Sequence, residues 1–200
     1  MRRIKKFWTD NSILSIVIIL RRLVNKVYSF IFLKKYNINA DYTSYIYGLR
    51  YMKVGSLNIG RNCRIEMITE YNSQIFKPKL IIGNRVCFND RVHIGCANYI
   101  EIGDDCLLAS NIYISDHNHG IYKGENISDI HQRVAERDLD FNKSVIIGNN
   151  VWIGEGVAVL PGAKIGNNSI IGSNAVVIGE IPSNCIAVGV PAKIVRNLDD

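Results

Sequence analysis

The sequence predicts an all-β body made of very short strands joined by tight turns, preceded by an α-helical segment at the amino terminus. Three observations predict the body. From residue 147 onward an aliphatic residue recurs every six positions, glycine often follows it, and a small or β-branched residue stands four positions after it. This spacing matches neither the roughly 3.6-residue period of an amphipathic helix nor the simple alternation of a half-buried strand.

Composition and charge limit the possible functions. The 200 residues are 48% apolar and 21% charged, which suits one domain with an appendage and excludes intrinsic disorder. The formal charge is +6, but residues 1–36 carry nine Lys or Arg and one acid, whereas the other 164 residues carry fifteen bases and seventeen acids. We therefore expect no nucleic-acid groove on the body. The five cysteines form no CxxC pair, which argues against a disulfide framework or zinc ribbon and fits the cytoplasm.

The first 40 residues predict a basic, amphipathic helical segment. The apolar run Ile13–Leu20 is too short to cross a bilayer, which takes roughly 20 apolar residues. Arg21 and Arg22 follow it, where a signal peptide would need small residues. The segment can lie peripherally on an anionic membrane through residues 1–36, or it can pack against the body or a neighbouring subunit. Both alternatives stay open.

The six-residue period governs most of the remaining chain. The aliphatic residues in this frame are Ile147, Ile153, Val159, Ile165, Ile171 and Val177, and upstream Ile59, Ile65, Ile82, Ile94, Ile102, Leu108 and Ile114, while Phe88 occupies the equivalent position between Ile82 and Ile94. We expect one such residue per strand to point inward. The pairs Asn149–Asn150 and Asn167–Asn168, together with Asn174, suit the left-handed backbone that a tight corner needs.

Two interruptions of the period, residues 69–80 and the longer insertion 115–145, are candidate functional elements. A long excursion from a rigid scaffold is more often a binding element than an idle loop. The second insertion begins Ser-Asp-His-Asn-His and so places His117 and His119 at the edge of the repeat. A histidine held there suits a general base, because its ordinary pKa is near neutral pH. On spacing alone, a surface turn without a catalytic role is equally compatible.

Residues 55–196 resemble the hexapeptide-repeat family, whose [LIV]-G-x4 repeats build a left-handed parallel β-helix of triangular section. Together with the charge pattern, the resemblance predicts two units: the basic segment 1–40, and a β-helix domain over 41–200 that carries the insertion 115–145. Family members are usually homotrimers, and many are acyltransferases that use acetyl-CoA as co-substrate. The resemblance therefore implies an enzyme with acetyl-CoA and no metal.

The motifs are most similar to those of sugar O-acetyltransferases. The return Ile147–Gly154, which contains the letters GNNVWIG, and the tail Ala187–Arg196 match that group, and the Asp-His-Asn-His form resembles O-antigen and capsule acetyltransferases. Laid on the family pattern, the catalytic histidine falls on His119, with His117 as the alternative base. The asparagine that assists the transition state falls on Asn89, for which a simple turn residue is the other interpretation.

The resemblance also implies a coenzyme A site and a glycan acceptor. The coenzyme contacts fall on Glu155, Ser173, Ile178, Gly179, Lys193 and Arg196. Glu155 stands where the galactoside enzymes have serine, and Ile178–Gly179 where they have Thr-Lys. In the insertion, Tyr122, Arg133 and Arg137 are candidate acceptor contacts, although solvated surface is the safer interpretation of each.

The sequence thus predicts a cytoplasmic O-acetyltransferase that acts on a sugar of a bacterial surface polysaccharide or its precursor, with possible peripheral contact at the inner face of the membrane. The alternatives are an N-acetyltransferase of a nucleotide-linked amino sugar, a non-catalytic scaffold, and a metalloenzyme similar to the γ-carbonic anhydrases. The last would use His93, His117 and His119 as metal ligands.

Overall fold

The computed structural model describes residues 32–124 and 126–199, together with Leu20, Leu23, Val24 and Val27. These four residues are helical and more than half exposed. The rest of the predicted basic segment before residue 32 lies outside the described residues. In the part of the chain that the structure describes, no helix combines the length and apolar character needed to cross a membrane.

The described chain consists almost entirely of short strands. The first eight are β1 (Ile38–Ala40), β2 (Tyr45–Tyr47), β3 (Met52–Val54), β4 (Leu57–Ile59), β5 (Arg64–Met67), β6 (Glu70–Tyr71), β7 (Gln74–Ile75) and β8 (Lys79–Ile82). The next eight are β9 (Val86–Phe88), β10 (His93–Cys96), β11 (Tyr99–Ile102), β12 (Leu107–Leu108), β13 (Tyr113–Ser115), β14 (Asn118–His119), β15 (Leu139–Asp140) and β16 (Val145–Ile147). The last eight are β17 (Trp152–Ile153), β18 (Ala158–Val159), β19 (Lys164–Ile165), β20 (Ile170–Ile171), β21 (Val176–Val177), β22 (Glu180–Ile181), β23 (Cys185–Val188) and β24 (Lys193–Asn197). Three short 3-10 helices span Leu33–Tyr36, Leu49–Tyr51 and Val134–Glu136.

Twenty of these strands form the three sides of a left-handed parallel β-helix, as the family resemblance implies, while β6–β7 and β14–β15 form two separate two-stranded sheets. The first sheet has the order β1-β4-β9-β12-β17-β20-β23-β24, the second β2-β5-β10-β13-β18-β21, and the third β3-β8-β11-β16-β19-β22. Successive strands of one coil belong to successive sheets, so each coil has three corners. We call the corner between the first and second sheets the first corner, that between the second and third the second corner, and the remaining one the third corner.

The periodic aliphatic residues form the core. All of those predicted to point inward are at most 5% exposed, and the positions from Ile147 to Val177 alternate in order among the three sheets. Fully burying such a side chain contributes about 1.5–3 kcal/mol. Because each coil buries its aliphatic residues only in contact with the next coil, the stack is the stable unit.

Asparagine takes the left-handed backbone conformation at many of the corners, as predicted, but in each Asn-Asn pair only the second residue does so. Asn150 and Asn168 have φ of 55° and 58°. Their side chains also form a ladder along the third corner, where the Asn150 amide donates to Asn168 (3.0 Å) and the Asn168 amide donates to Asn184 (2.8 Å). The glycines that follow the aliphatic residues permit close stacking, since a β-carbon at Gly154 would lie 2.7 Å from the backbone nitrogen of Ser173.

Candidate functional site

His117 and His119 of the insertion line one cleft at the second corner. The cleft has a volume of about 510 Å³, and its lining includes His117, His119, Tyr71 and the outer side of the second sheet. The ring centroids of His117 and His119 are 6.5 Å apart. We call this cleft the histidine cleft; it brings together two of the predicted site residues, His117 and His119.

His117 is held in place by a buried carboxylate. Asp116, which is fully buried, accepts a hydrogen bond from Nδ1 of His117 (3.0 Å) and from the backbone amides of Ala97 and Asn98 (both 2.8 Å). An ionised carboxylate only accepts hydrogen bonds, so this contact assigns the ring proton to Nδ1 and leaves a lone pair on Nε2 of neutral His117. The arrangement orients an imidazole nitrogen that can accept a proton or a hydrogen bond.

Gly95 makes room for the His117 ring. This glycine faces outward on β10, and a β-carbon there would lie 3.1 Å from Cε1 of His117. That distance is shorter than ordinary van der Waals contact, so a larger residue would displace the imidazole. Neither Gly95 nor Asp116 was among the predicted site residues. The only sequence signal for Asp116 was its place beside His117 in the Asp-His-Asn-His motif.

His119 is exposed and is held by the backbone of the insertion. It belongs to β14, which pairs antiparallel with β15, so that His119 lies opposite Leu139. The Tyr122 hydroxyl donates to the His119 carbonyl (2.8 Å), and the His119 ring packs edge-on against Tyr71, with centroids 5.0 Å apart. These contacts fix the position of an imidazole that remains accessible to a substrate.

The candidate acceptor contacts of the insertion have different environments. Arg137 is only 8% exposed, so the expectation that it is solvated surface is wrong. Its guanidinium donates to the carbonyls of Gln132 (2.9 Å) and Ile130 (2.8 Å) and to the Tyr122 hydroxyl (2.9 Å). Arg137 thus braces the residue that holds His119. Arg133 is exposed and paired with Glu136.

The first interruption packs against the second. Residues 69–80 contain the hairpin β6–β7, whose Tyr71 hydroxyl donates to the carbonyl of Ala135 (2.7 Å). Gln74 accepts from the backbone amide of Leu139 (2.6 Å), and Leu139 shares a small buried cluster with Phe76 and Ala97. Both insertions therefore build one wall of the histidine cleft, a relationship that the sequence did not reveal.

Asn89 does not line this cleft. It follows β9 at the first corner, whereas the histidines follow β13 at the second corner. Its side chain is exposed, and its carbonyl accepts a hydrogen bond from the Cys63 thiol (3.0 Å). Within one chain the structure does not bring Asn89 and His119 together.

The six predicted coenzyme contacts are all exposed and lie in three places. Glu155 and Ser173 are at the first corner, where Glu155 accepts from the side chain of Asn111 (2.8 Å). Ile178 and Gly179 are at the second corner, below the histidine cleft, and nothing lies within 4 Å of a β-carbon built on Gly179. Lys193 and Arg196 are on β24, which pairs antiparallel with β23 at the end of the first sheet.

Three buried cysteines are poor nucleophiles, and the described residues form no candidate metal site. Burial raises the pKa of the Cys63, Cys96 and Cys106 thiols, and nearby Asp116 raises that of Cys96 further. Since the thiolate is the reactive form, these thiols are unreactive near neutral pH. Among the described residues, no three His, Cys, Asp or Glu side chains come together as a candidate metal site.

Comparison with known proteins identifies the repeat. Residues 144–179 match the family described as bacterial transferase hexapeptide (six repeats). The chain is 39% identical over 143 residues to the putative lipopolysaccharide biosynthesis O-acetyl transferase WbbJ of Escherichia coli K12, covering 71% of this chain and 72% of that protein. It is 32% identical over 144 residues to the galactoside O-acetyltransferase of the same organism, covering 71% of this chain and 64% of the relative, which is less than two thirds of its length.

The fold agrees with this relationship. A crystal structure of galactoside acetyltransferase in complex with coenzyme A superposes with a TM-score of 0.58 at 24% identity, covering 89% of this chain and 80% of the other. At that identity the superposition supports the fold alone, whereas the 39% identity to the first relative covers most of both chains. The chain therefore belongs to the hexapeptide-repeat family of acetyltransferases.

Proposed function

We propose that this protein transfers the acetyl group of acetyl-CoA to a hydroxyl of a sugar in a bacterial surface polysaccharide or its precursor. The observation that carries the proposal is the histidine cleft, in which two imidazoles at the edge of a rigid coil face a space large enough for a sugar. Two relatives named as O-acetyltransferases, one of lipopolysaccharide biosynthesis and one of galactosides, support the choice of a sugar hydroxyl.

We assign His119 as the general base. Neutral His119 takes the proton of the acceptor hydroxyl, while that oxygen forms a bond to the thioester carbonyl carbon. His119 then returns the proton to the departing thiolate sulfur, so the base is regenerated. Direct transfer of this kind needs no acyl-enzyme, which agrees with the raised pKa values of the buried thiols.

His117 orients the acceptor in this proposal. With its proton held on Nδ1 by Asp116, its Nε2 accepts a hydrogen bond from a second hydroxyl of the same sugar. The 6.5 Å between the two rings suits contact with neighbouring hydroxyls of one sugar ring. Proton removal and orientation are thus divided between two imidazoles that differ in exposure.

The complete site requires a second copy of the chain, and we propose a homotrimer. Asn89 and His119 occupy different corners, so the partner subunit's Asn89 supplies the amide that donates to the developing oxyanion. An apolar column on the outer side of the first sheet supports self-association, since Leu107 is 42% and Trp152 51% exposed, in register with Ile170 and Ile186.

Coenzyme A then lies between two corners. One subunit contributes Ile178 and Gly179 below its histidine cleft, and its neighbour contributes Glu155 and Ser173. The open space at Gly179 suits close approach of the pantetheine chain to the backbone. Lys193 and Arg196 are the cationic residues that pair with the coenzyme phosphates.

We also propose that the protein is cytoplasmic and contacts the inner face of the membrane through residues 1–36. That segment carries nine basic residues and one acid, and its described apolar residues Leu20, Leu23, Val24 and Val27 are exposed. A lipid-linked glycan precursor would be presented at the same surface.

The test is a CoA-release assay with the full-length protein and monosaccharide, oligosaccharide and lipid-linked acceptors. We expect acceptor-dependent release, and we expect His119→Ala to lower kcat by about 10²- to 10⁴-fold. His117→Ala should instead act mainly by raising KM for the acceptor. Full activity of His119→Ala together with an inactive His117→Ala would reverse the two roles, and a protein that neither binds coenzyme A nor transfers acetyl would refute the proposal.

A further inference from the structure

An ion-paired array on the outer side of the second sheet continues the histidine cleft. Arg64 and Glu66 are on β5, and His93 is on the adjacent strand β10, directly opposite Arg64. The Glu66 carboxylate forms an ion pair with the Arg64 guanidinium, whose Nε lies 2.7 Å away, and it lies 3.4 Å from Nε2 of His93. All three line the same cleft as His117 and His119.

The array lies one strand away from Gly95, over which the His117 ring is placed. Glu66 pairs in register with Gly95, the residue over which the His117 ring lies. Neighbouring strands are about 4.8 Å apart, so the Glu66 carboxylate and the His117 imidazole can contact the same small molecule. The resemblance to sugar O-acetyltransferases assigned no role to Arg64, Glu66 or His93.

We infer that Arg64, Glu66 and His93 form the acceptor subsite and that it takes an uncharged sugar with vicinal hydroxyls; this inference rests on the function proposed above. A hydroxyl both donates and accepts hydrogen bonds, and the array offers guanidinium donors beside a carboxylate acceptor. Adjacent hydroxyls therefore pair with Arg64 and Glu66 together, while the proposed reacting hydroxyl lies toward His119.

The charge and shape of the cleft favour this class of acceptor. Its charged residue types are Arg64, Glu66 and Glu70, so a negatively charged acceptor would meet one carboxylate, that of Glu70, with no compensating arginine. Because Arg64 already pairs with Glu66, the cleft attracts the protonated amine of an amino sugar less strongly than two unpaired carboxylates would. Tyr47, Tyr71 and Tyr113 add aromatic surface for the apolar side of a sugar ring.

The test is steady-state kinetics of the full-length protein with neutral methyl hexosides, the corresponding amino sugars and the corresponding uronates. We expect the neutral sugars to have the highest kcat/KM. Glu66→Gln and Arg64→Gln should each raise KM for the acceptor about 10- to 100-fold, the range lost with a hydrogen bond to a charged group, while kcat and KM for acetyl-CoA change by less than about twofold. Glu101→Gln, a similar half-buried position on the outer side of the third sheet, should change none of these constants.

A deoxy acceptor separates a binding role from a structural one. Removing one vicinal hydroxyl should raise KM in the wild-type protein but much less in Glu66→Gln, because the variant has already lost that contact. Equal effects in both proteins, or preference for an amino sugar or a uronate, would overturn the inference while leaving the acetyltransferase proposal intact. Absence of transfer to every acceptor, with no coenzyme A binding by calorimetry, would overturn both.

Discussion

At the residue scale, Asp116 is the side chain on which the buried part of the site depends. It connects the His117 ring to the backbone of the neighbouring coil at Ala97 and Asn98. A fully buried carboxylate is costly unless several donors surround it, and here three donors do so. This aspartate follows the β13 strand, and a sequence pattern cannot show that a residue in such a turn is buried.

We expect Asp116→Asn to lower the free energy of unfolding by about 1–3 kcal/mol and to raise KM for the acceptor. The asparagine amide places a donor where the carboxylate accepts, so one of the three hydrogen-bond donors around it loses its partner. Urea unfolding at matched protein concentration measures the first effect, and CoA-release kinetics measure the second.

Asp138→Asn is the matched control, because Asp138 is an exposed aspartate of the same insertion. This substitution should change the free energy of unfolding by less than about 0.5 kcal/mol. If Asp116→Asn were as stable as the control and bound acceptor equally well, Asp116 would not position His117.

At the element scale, the sequence predicted the strands well and the insertions less well. Every periodic aliphatic residue, from Ile59 to Val177, is buried. Each coil must bury the same inward positions, and the six-residue spacing of aliphatic residues in the sequence follows from that requirement. The two interruptions were located by the loss of that period, but their mutual packing was not. Contacts such as that of Gln74 with Leu139 join residues far apart in the chain, and local sequence patterns do not predict such contacts.

The amino-terminal segment provides a prediction at this scale. We expect the full-length protein to sediment with vesicles that contain anionic lipid and Arg21→Glu/Arg22→Glu to bind them at least about 30-fold more weakly. Each basic residue near such a surface contributes about 1 kcal/mol, and charge reversal adds repulsion. Co-sedimentation at low and high salt measures the difference, because salt screens the attraction.

Lys53→Glu/Lys77→Glu makes the same change in net charge on exposed lysines of the body. Vesicle binding by this control should remain close to that of the wild-type protein. If the wild-type protein stayed in the supernatant, or if both double variants lost binding equally, the segment would not be the membrane contact, and packing against the body would be the better interpretation.

At the scale of the whole molecule, the three-sided shape separates residues that the family resemblance places in one site. The resemblance assigned a separate role to His119 and to Asn89. The repeat then places each residue at a corner of the β-helix, but the six-residue period does not show which corners of neighbouring subunits are in contact. In the structure they follow strands of different sheets, at the second and first corners. A shared site therefore requires a neighbouring copy.

Co-expression of two inactive variants tests this arrangement. His119→Ala and Asn89→Ala should each reduce kcat, the latter by about 10²- to 10³-fold if the amide stabilises the oxyanion. In randomly mixed rings, about a quarter of the sites combine an intact His119 with the partner subunit's intact Asn89, so the mixture should recover about a quarter of wild-type activity. Mixing His119→Ala with His117→Ala should give, at limiting acceptor, no more than the mean activity of the two variants alone, since both residues belong to one corner of one chain. Recovery by neither mixture, in particles that light scattering shows to be trimers and mass spectrometry shows to contain both variants, would place the two residues in separate functions.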